Sequence, residues 1–424
     1  VTLSKISFLS RFGQLAIVNI LSNLMVPLSG LMDIAFLGHL SEIRHLAGVA
    51  LATILFNYLY WTFGFLRMGT TGMTAQAAGQ EDAETVLLVG LRNGAIALGI
   101  GVLIVLMQHP LKVIGFTLLS ASAEVKDSGQ SFYDALIWGA PATLLNFVFV
   151  GWFLGRSQSG KVFLLSAVAN LSNVGLDYLF IVCWNLQSAG AGLATALSQY
   201  LMLFVGLVLV GRDIPLQQMQ RNARHLLNPA ALKATFALNR EILVRTFALV
   251  STFALFTNLS STLGTTILST NVVLLQVVTL AAYFIDGIAF ATETLAGVLK
   301  GQNNSAQLAL LVRSAGTTSL SLGLLFALAF MVMPTSLFGL LTNHADILQQ
   351  IGEYGGWLLP VLGFGSIAYL LDGYFLGLTE GRILRISVVA AALIGFAPMA
   401  IVAWFCRSSH LLWLALALFT AIFE

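Results

Sequence analysis

Charge is what this sequence has least of. Of its 424 residues, 20 are Lys or Arg and 18 are Asp or Glu, 9 % together, whereas apolar types make up 58 %. A soluble domain carries about 25 % charged residues. There is too little charge here to cover a water-facing surface, and a mean hydropathy of +0.90 agrees. The shortage excludes an ordinary soluble enzyme, a disordered chain and a nucleic-acid binder, and a net charge of +2 offers no phosphate-seeking face. Cysteine is nearly missing: Cys183 and Cys406 lie in separate apolar runs and give no disulfide framework. The six histidines (His39, His45, His109, His225, His344, His410) are scattered over loops and ends, so no metal site is indicated. No HExxH or GxSxG occurs, and no catalytic constellation supports an enzyme. Gly155-Arg-Ser-Gln-Ser-Gly-Lys161-Val162 comes close to a phosphate-binding loop. It lacks the closing Ser/Thr and follows a membrane-length apolar run instead of a strand, so it reads as a short turn. With no ATP site, uphill transport would need an ion gradient.

Long apolar runs are what the chain has in quantity. A helix crosses the hydrocarbon with about 20 apolar residues, and a barrel would need short alternating segments. The runs here are longer and do not alternate. They predict an all-α polytopic membrane protein with twelve transmembrane helices, near 12–37, 46–70, 86–108, 132–153, 161–184, 189–210, 243–266, 271–299, 309–333, 354–377, 383–406 and 410–423. Lys and Arg favour cytoplasmic loops. One side would hold Lys5, Arg11, Arg92, Arg156, Lys161, Arg212, Arg221, Arg224, Lys233, Arg240, Arg245, Lys300, Arg313, Arg382 and Arg385. The other would hold Arg44, Lys112, Lys126 and Arg407, with Arg67 the one cation left inside a span. Both termini are therefore expected in the cytoplasm. The start reads as an amphipathic lead into the first helix, with no cleavage site or transit-peptide composition.

The polar stretch 211–241 reads as a cytoplasmic linker between an amino-terminal six-helix lobe (1–210) and a carboxy-terminal one (242–424). The halves look related. Residues 57–80 and 279–302 both close a long helix on Gly-Gln, and Gly151-Trp-Phe-Leu-Gly155 matches Gly373-Tyr-Phe-Leu-Gly377, each at an offset of 222. Both halves start on one side, so the repeat would be parallel, with a substrate path between pseudo-symmetric lobes.

Six ionisable residues fall inside predicted spans: Asp33, Arg67, Asp177, Asp286, Glu293 and Asp372. Each would cost roughly 2.5–3.5 kcal/mol facing lipid at a helix centre, so each should face an interior and a partner. None is repeated at the offset of 222, as coupling chemistry that has specialised between halves would require. On the fifth helix Asn170, Asn173 and Asp177 share one face. A carboxylate with an amide one turn away can hold a proton or a cation; the alternative is hydrogen bonding to neighbouring helices. Asp286, Glu293 and Asp372 would form a second cluster that binds cationic substrate or is structural. Arg67 either pairs with a carboxylate or snorkels to the surface.

Several stretches resemble the multidrug and toxic compound extrusion (MATE) family: LSNLMVPLSGLMDIAFLGHL, GWFLGRSQSGKVFLLSAVANLSNVGLDYLF, AYFIDGIAFATETLAGVLKGQ and LLDGYFLGLTEGRILR. FGFLRMGTTG points to its DNA-damage-inducible F (DinF) branch. The resemblance implies two six-helix lobes that open alternately to each side. It implies efflux of organic, often cationic, small molecules in exchange for protons or sodium, with no other cofactor. It also implies an amino-terminal-lobe site, whose positions fall here on Asp33, Asn173, Asp177 and Thr195 as the proton or Na+ site. Asp286 and Asp372 match acids of the other lobe. Relatives commonly carry a proline where this chain has Val18, which leaves Pro27 as the weak point of the first helix. The expected protein is a cation-coupled antiporter, proton before sodium, acting as a monomer among membrane lipids. The alternative is a flippase for a lipid-linked or amphiphilic molecule. The expected location is the plasma membrane, or a plastid membrane in a plant.

Overall fold

The computed structural model describes residues 5–40, 42–222, 225, 226, 228–339, 341 and 345–423. Arg224 and His344 lie outside the described residues. Those residues are overwhelmingly helical and contain no strand. Lipid dictates this, because a helix satisfies its own backbone hydrogen bonds where water is absent. Among the described residues, eleven helices are long and apolar enough to cross a membrane. We number them α1 (Lys5–Gly38), α2 (Arg44–Gly79), α3 (Ala83–Leu106), α4 (Ala123–Gly155), α5 (Ser159–Cys183) and α6 (Gln187–Asp213), then α7 (Pro229–Thr262), α8 (Thr265–Gly301), α9 (Ser305–Val332), α10 (Asp346–Gly377) and α11 (Gly381–Cys406). A shorter apolar helix, α12 (Ser409–Phe423), follows. The all-α, twelve-helix expectation holds.

The start of α7 differs from expectation. It begins at Pro229, well inside the stretch read as linker. Asn228 caps it, its Oδ1 accepting from the backbone N–H of Ala230 (3.0 Å) and Ala231 (3.3 Å). Proline loses nothing in a first turn, so the polar residues 229–241 are helical. A separate short helix, Leu216–Asn222, lies between α6 and α7. α3 is capped in the same manner, with Asp82 accepting from the N–H of Thr85 at 2.9 Å.

Two compact units result. One is Leu21–Ala237; the other is Leu238–Glu424 together with Val1–Ile20. The division falls inside α1, a single unbroken helix with Pro27 in its interior. In the second unit Phe8, Phe12, Leu15 and Ala16 are buried in one apolar cluster with Ile288, Ala291, Leu295 and Leu299 of α8. At 15 residues, α12 is about 22 Å long, short of a full crossing. Its Trp413 is fully buried, and the indole donates to Asn271 Oδ1 at 2.8 Å. The Asn271 amide also donates to Ser260 Oγ (2.9 Å) and Ser409 Oγ (3.2 Å), so this buried polar knot is satisfied.

The repeat is visible as packing. A Cβ at Gly151 would lie against the carbonyl of Arg67, and one at Gly373 against the carbonyl of Ala289. A Cβ at Gly155 would meet the carbonyl of Thr71 and the side chain of Thr74; at Gly377 it would meet the carbonyl of Glu293 and the side chain of Ala296. Every residue of the first set maps onto the second at the offset of 222. In each unit, therefore, α4 or α10 presses its bare backbone onto α2 or α8. The fifth and eleventh helices share a second feature, a π-helical segment at Tyr178–Cys183 and at Ala391–Phe396.

Candidate ion-exchange site

In the unit Leu21–Ala237, α1, α5 and α6 bring polar groups together. Asp33 of α1 and Asp177 of α5 set their carboxylates against each other within hydrogen-bonding reach. Asp177 is fully buried, and neither of its oxygens has a hydrogen-bond donor; Asp33 Oδ1 also has none. Asp177 is the last residue before the π-helical segment of α5, and such segments recur at functional sites.

One turn away lies a second network. Ser29 Oγ donates to Asn173 Oδ1 at 2.6 Å. Asn173 Nδ2 donates to Thr195 Oγ1 at 3.4 Å, and Thr195 donates to the carbonyl of Ala191 at 3.0 Å. Ser29 and Asp33 are four apart on α1, as Asn173 and Asp177 are on α5, so each helix offers both networks on one face. Ser29 escaped the reading of the sequence, although its spacing from Asp33 marks that face. Asn170 does not join: its amide donates to the carbonyl of Ser166 on its own helix, at 2.7 Å.

Two unlike arrangements thus stand side by side. Ser29, Asn173 and Thr195 are hydrogen-bonded to one another, while both oxygens of Asp177 and Oδ1 of Asp33 have no donor. Two unit charges 4 Å apart repel by about 4 kcal/mol at an effective dielectric of 20. A single proton shared between them, or one small cation, removes that repulsion. The group set against each acid is the other acid, whereas Arg67 sits partly buried in α2.

The acids of the second unit are arranged differently. Asp372 of α10 is held by Arg245 of α7, whose Nε donates to Oδ1 at 2.8 Å while Nη2 meets Oδ2. Both residues are buried. Tyr369 lies within electrostatic reach of Asp286, Arg245 and Asp372. Glu293 is fully buried in α8. The sequence puts Arg245 and Arg92 on the Lys/Arg-rich side, near the starts of the spans predicted at 243–266 and 86–108, with Arg67 as the one cation left within a span. The structure corrects this: α7 starts at Pro229, so Arg245 lies about four turns into the helix and is buried. Arg92 is buried in α3 and donates to the carbonyls of His225 (2.9 Å) and Leu226 (3.2 Å). In both cases the backbone or side-chain partner lies far away in sequence, and a count of apolar residues cannot see it.

Comparison with known proteins agrees with this architecture. A DNA damage-inducible protein F of Escherichia coli is 34 % identical over 412 residues, covering 96 % of this chain and 89 % of that protein. A probable multidrug resistance protein NorM of Synechococcus is 25 % identical, covering 91 % and 85 %. Among solved structures, a MATE protein in the straight conformation shares the fold with a TM-score of 0.87 at 20 % identity, covering 97 % and 93 % of the two chains. The MatE family model matches residues 19–179 and 242–408, one segment in each half. With its helices, its repeat and these relatives, the chain belongs to the MatE family of cation-coupled membrane transporters, which are not enzymes.

Proposed function

We propose that this protein is a secondary antiporter that exports amphipathic organic compounds, cationic ones above all, in exchange for protons bound at Asp33 and Asp177. The observation that carries the reading is the carboxylate pair, fully buried on the Asp177 side, with no donor to either Asp177 oxygen or to Asp33 Oδ1. A proton fits better than sodium because Ser29 and Thr195 already engage the Asn173 amide, which leaves the carboxylates to face the ion. Asn173 and Thr195 fix the floor beneath the pair. A cationic cargo suits span interiors where acids outnumber bases even after Arg245 is set against Asp372.

In the cycle, protons load the pair from outside and favour the lobe geometry that releases substrate outward. Loss of the proton to the cytoplasm resets it. The proton moves this equilibrium only through its different affinity for the two geometries. The excess of Lys and Arg in the loops of one side supports a cytoplasmic position for both termini and for the residues between α6 and α7.

The test uses the full chain in vesicles loaded with a dye cation, under an imposed proton gradient or sodium gradient. Proton-driven efflux is expected in the wild type and absent in Asp33→Asn and Asp177→Asn. Wild-type flux in Asp33→Asn would overturn the assignment, and flux driven by sodium alone would replace the coupling ion.

A further inference from the structure

We infer that the cavity between the start of α3 and the residues leading into α7 binds a zwitterion, a phosphate joined by an ethylene arm to a primary ammonium, and that the headgroup of phosphatidylethanolamine is what it takes from the membrane. The cavity lies wholly within the unit Leu21–Ala237 and has a volume of about 670 Å³. Asp82, Glu84, Leu88, Arg92, His225 and Asn228 line it. Glu84, Leu88 and Arg92 recur at four-residue steps and so share one face of α3.

The base and the acids of this cavity do not neutralise each other. Arg92 is only 8 % exposed, yet no carboxylate lies within ion-pair reach of it among the described residues. Its Nε and Nη2 donate to the carbonyls of Leu226 and His225, and Nη1 has no acceptor among the described residues. A guanidinium carries five N–H donors, so part of its capacity and all of its charge are left for a ligand. Burying a charge is costly unless it is paired. The acids are exposed and sit nearer the helix start. Glu84 Oε1 lies 3.0 Å from Nδ1 of His225, the same residue whose carbonyl Arg92 engages, so His225 holds carboxylate and guanidinium apart. Asp82 accepts from the N–H and hydroxyl of Thr85.

The order of the charges selects the ligand. α3 spans the membrane and Asp82 caps it, so the acids mark its aqueous end. Arg92 lies eight residues inside Glu84, about 12 Å by helix rise, and its long side chain carries the guanidinium back toward the headgroup layer. In phosphatidylethanolamine the phosphate adjoins the acyl-bearing glycerol and the ammonium stands at the outer end. The phosphate would meet Arg92 Nη1, the ammonium would donate to Glu84 and Asp82, and Leu88 would face the glycerol. An anionic lipid without an ammonium brings its charge up to two carboxylates with nothing to offset them. Phosphatidylcholine carries the same charges, but its quaternary nitrogen has no N–H to donate. A bound headgroup would tie α3 to the residues before α7. The site uses neither carboxylate of the ion-exchange pair and stands apart from the proposed antiport.

The experiment is native mass spectrometry of the full chain, released from detergent with added phosphatidylethanolamine, phosphatidylcholine or phosphatidylglycerol of matched acyl chains. The wild type should retain one phosphatidylethanolamine about five- to tenfold more tightly than either competitor, the worth of a charge-assisted hydrogen bond. The double variant Asp82→Asn with Glu84→Gln keeps the cap, because Asn serves there as well as Asp, and should lose the preference over phosphatidylcholine. Arg92→Gln should weaken all three lipids alike, since each carries the phosphate. Glycerophosphoethanolamine in excess separates the headgroup from the lipid: displacement means that the zwitterion alone suffices, and retention that the acyl chains add to it. Asp33→Asn should leave every value unchanged, which separates this site from the carboxylate pair. Equal retention of the three lipids by the wild type, or a phosphatidylethanolamine preference that survives in the double variant, would overturn the inference.

Discussion

The side chains that matter most here are charges removed from water, and their value depends on what faces them. Arg245 and Asp372 are both buried and joined by two hydrogen bonds. Removing one partner strands the other, which typically costs about 3–5 kcal/mol, whereas replacing both with apolar residues is often neutral or better. We expect Arg245→Met to lower the melting temperature in detergent sharply and Arg245→Met with Asp372→Leu to recover most of the loss; a double variant no more stable than the single one would contradict a structural pair. Asp82 is a milder case at the surface. Its bonds to the Thr85 hydroxyl and N–H hold its carboxyl below the ordinary value of 3.8. A depressed acid stabilises the fold fully above the unfolded value and loses that contribution as pH falls through the folded one. Asp82→Ala should therefore cost about 0.5–1 kcal/mol at neutral pH, the low end for a helix cap that faces water. In denaturation series the gap between variant and wild type should close as the solution is acidified below the carboxylate range.

Among the helices, the lesson concerns contact at zero side-chain thickness. Gly151 and Gly155 of α4 meet α2 as Gly373 and Gly377 of α10 meet α8, carbonyl for carbonyl. Small residues at such crossings let helix backbones approach closely in lipid, where no hydrophobic force drives helices together. Gly151→Ala and Gly373→Ala should each destabilise by about 1–3 kcal/mol, the usual cost of overpacking. Gly99→Ala, with nothing within 4 Å of its Cβ position, should be neutral or gain up to about 1 kcal/mol. Thermal melts of the three variants check this, and equal effects at all three sites would refute it. The recurrence of Gly-x-x-x-Gly at a fixed offset was legible in the sequence because the steric demand recurs. The start of α7 was not: residues 229–241 are polar enough to pass for a loop, and what makes them helical is the Asn228 cap followed by Pro229.

For the molecule as a whole, composition pointed to helices and the long apolar runs to their number, because a chain this poor in charge has few other ways to satisfy its backbone in lipid. The carboxylates of α1 and α5 were legible for the same reason, since an acid within an apolar run is costly unless it has a purpose. Partners were not legible. Ser29 for Asn173 and Arg245 for Asp372 are separated by 144 and 127 positions, and only the folded chain brings them together. The proposed sidedness can be read directly. With Cys183 and Cys406 first replaced, a cysteine at Gln217 should react with an impermeant thiol reagent only in inside-out vesicles, and one at Ser408 only in right-side-out vesicles; labelling of both from one face would refute the topology. The course of α1 has a consequence for biosynthesis. Phe8, Phe12, Leu15 and Ala16 leave the ribosome well ahead of Ile288 and its neighbours in their cluster, which are translated about 270 positions later. At roughly 5–20 residues per second that is a delay of tens of seconds, during which a finished helix face waits in the bilayer for a surface that does not yet exist. Assembly of this protein cannot run strictly from the first half to the second.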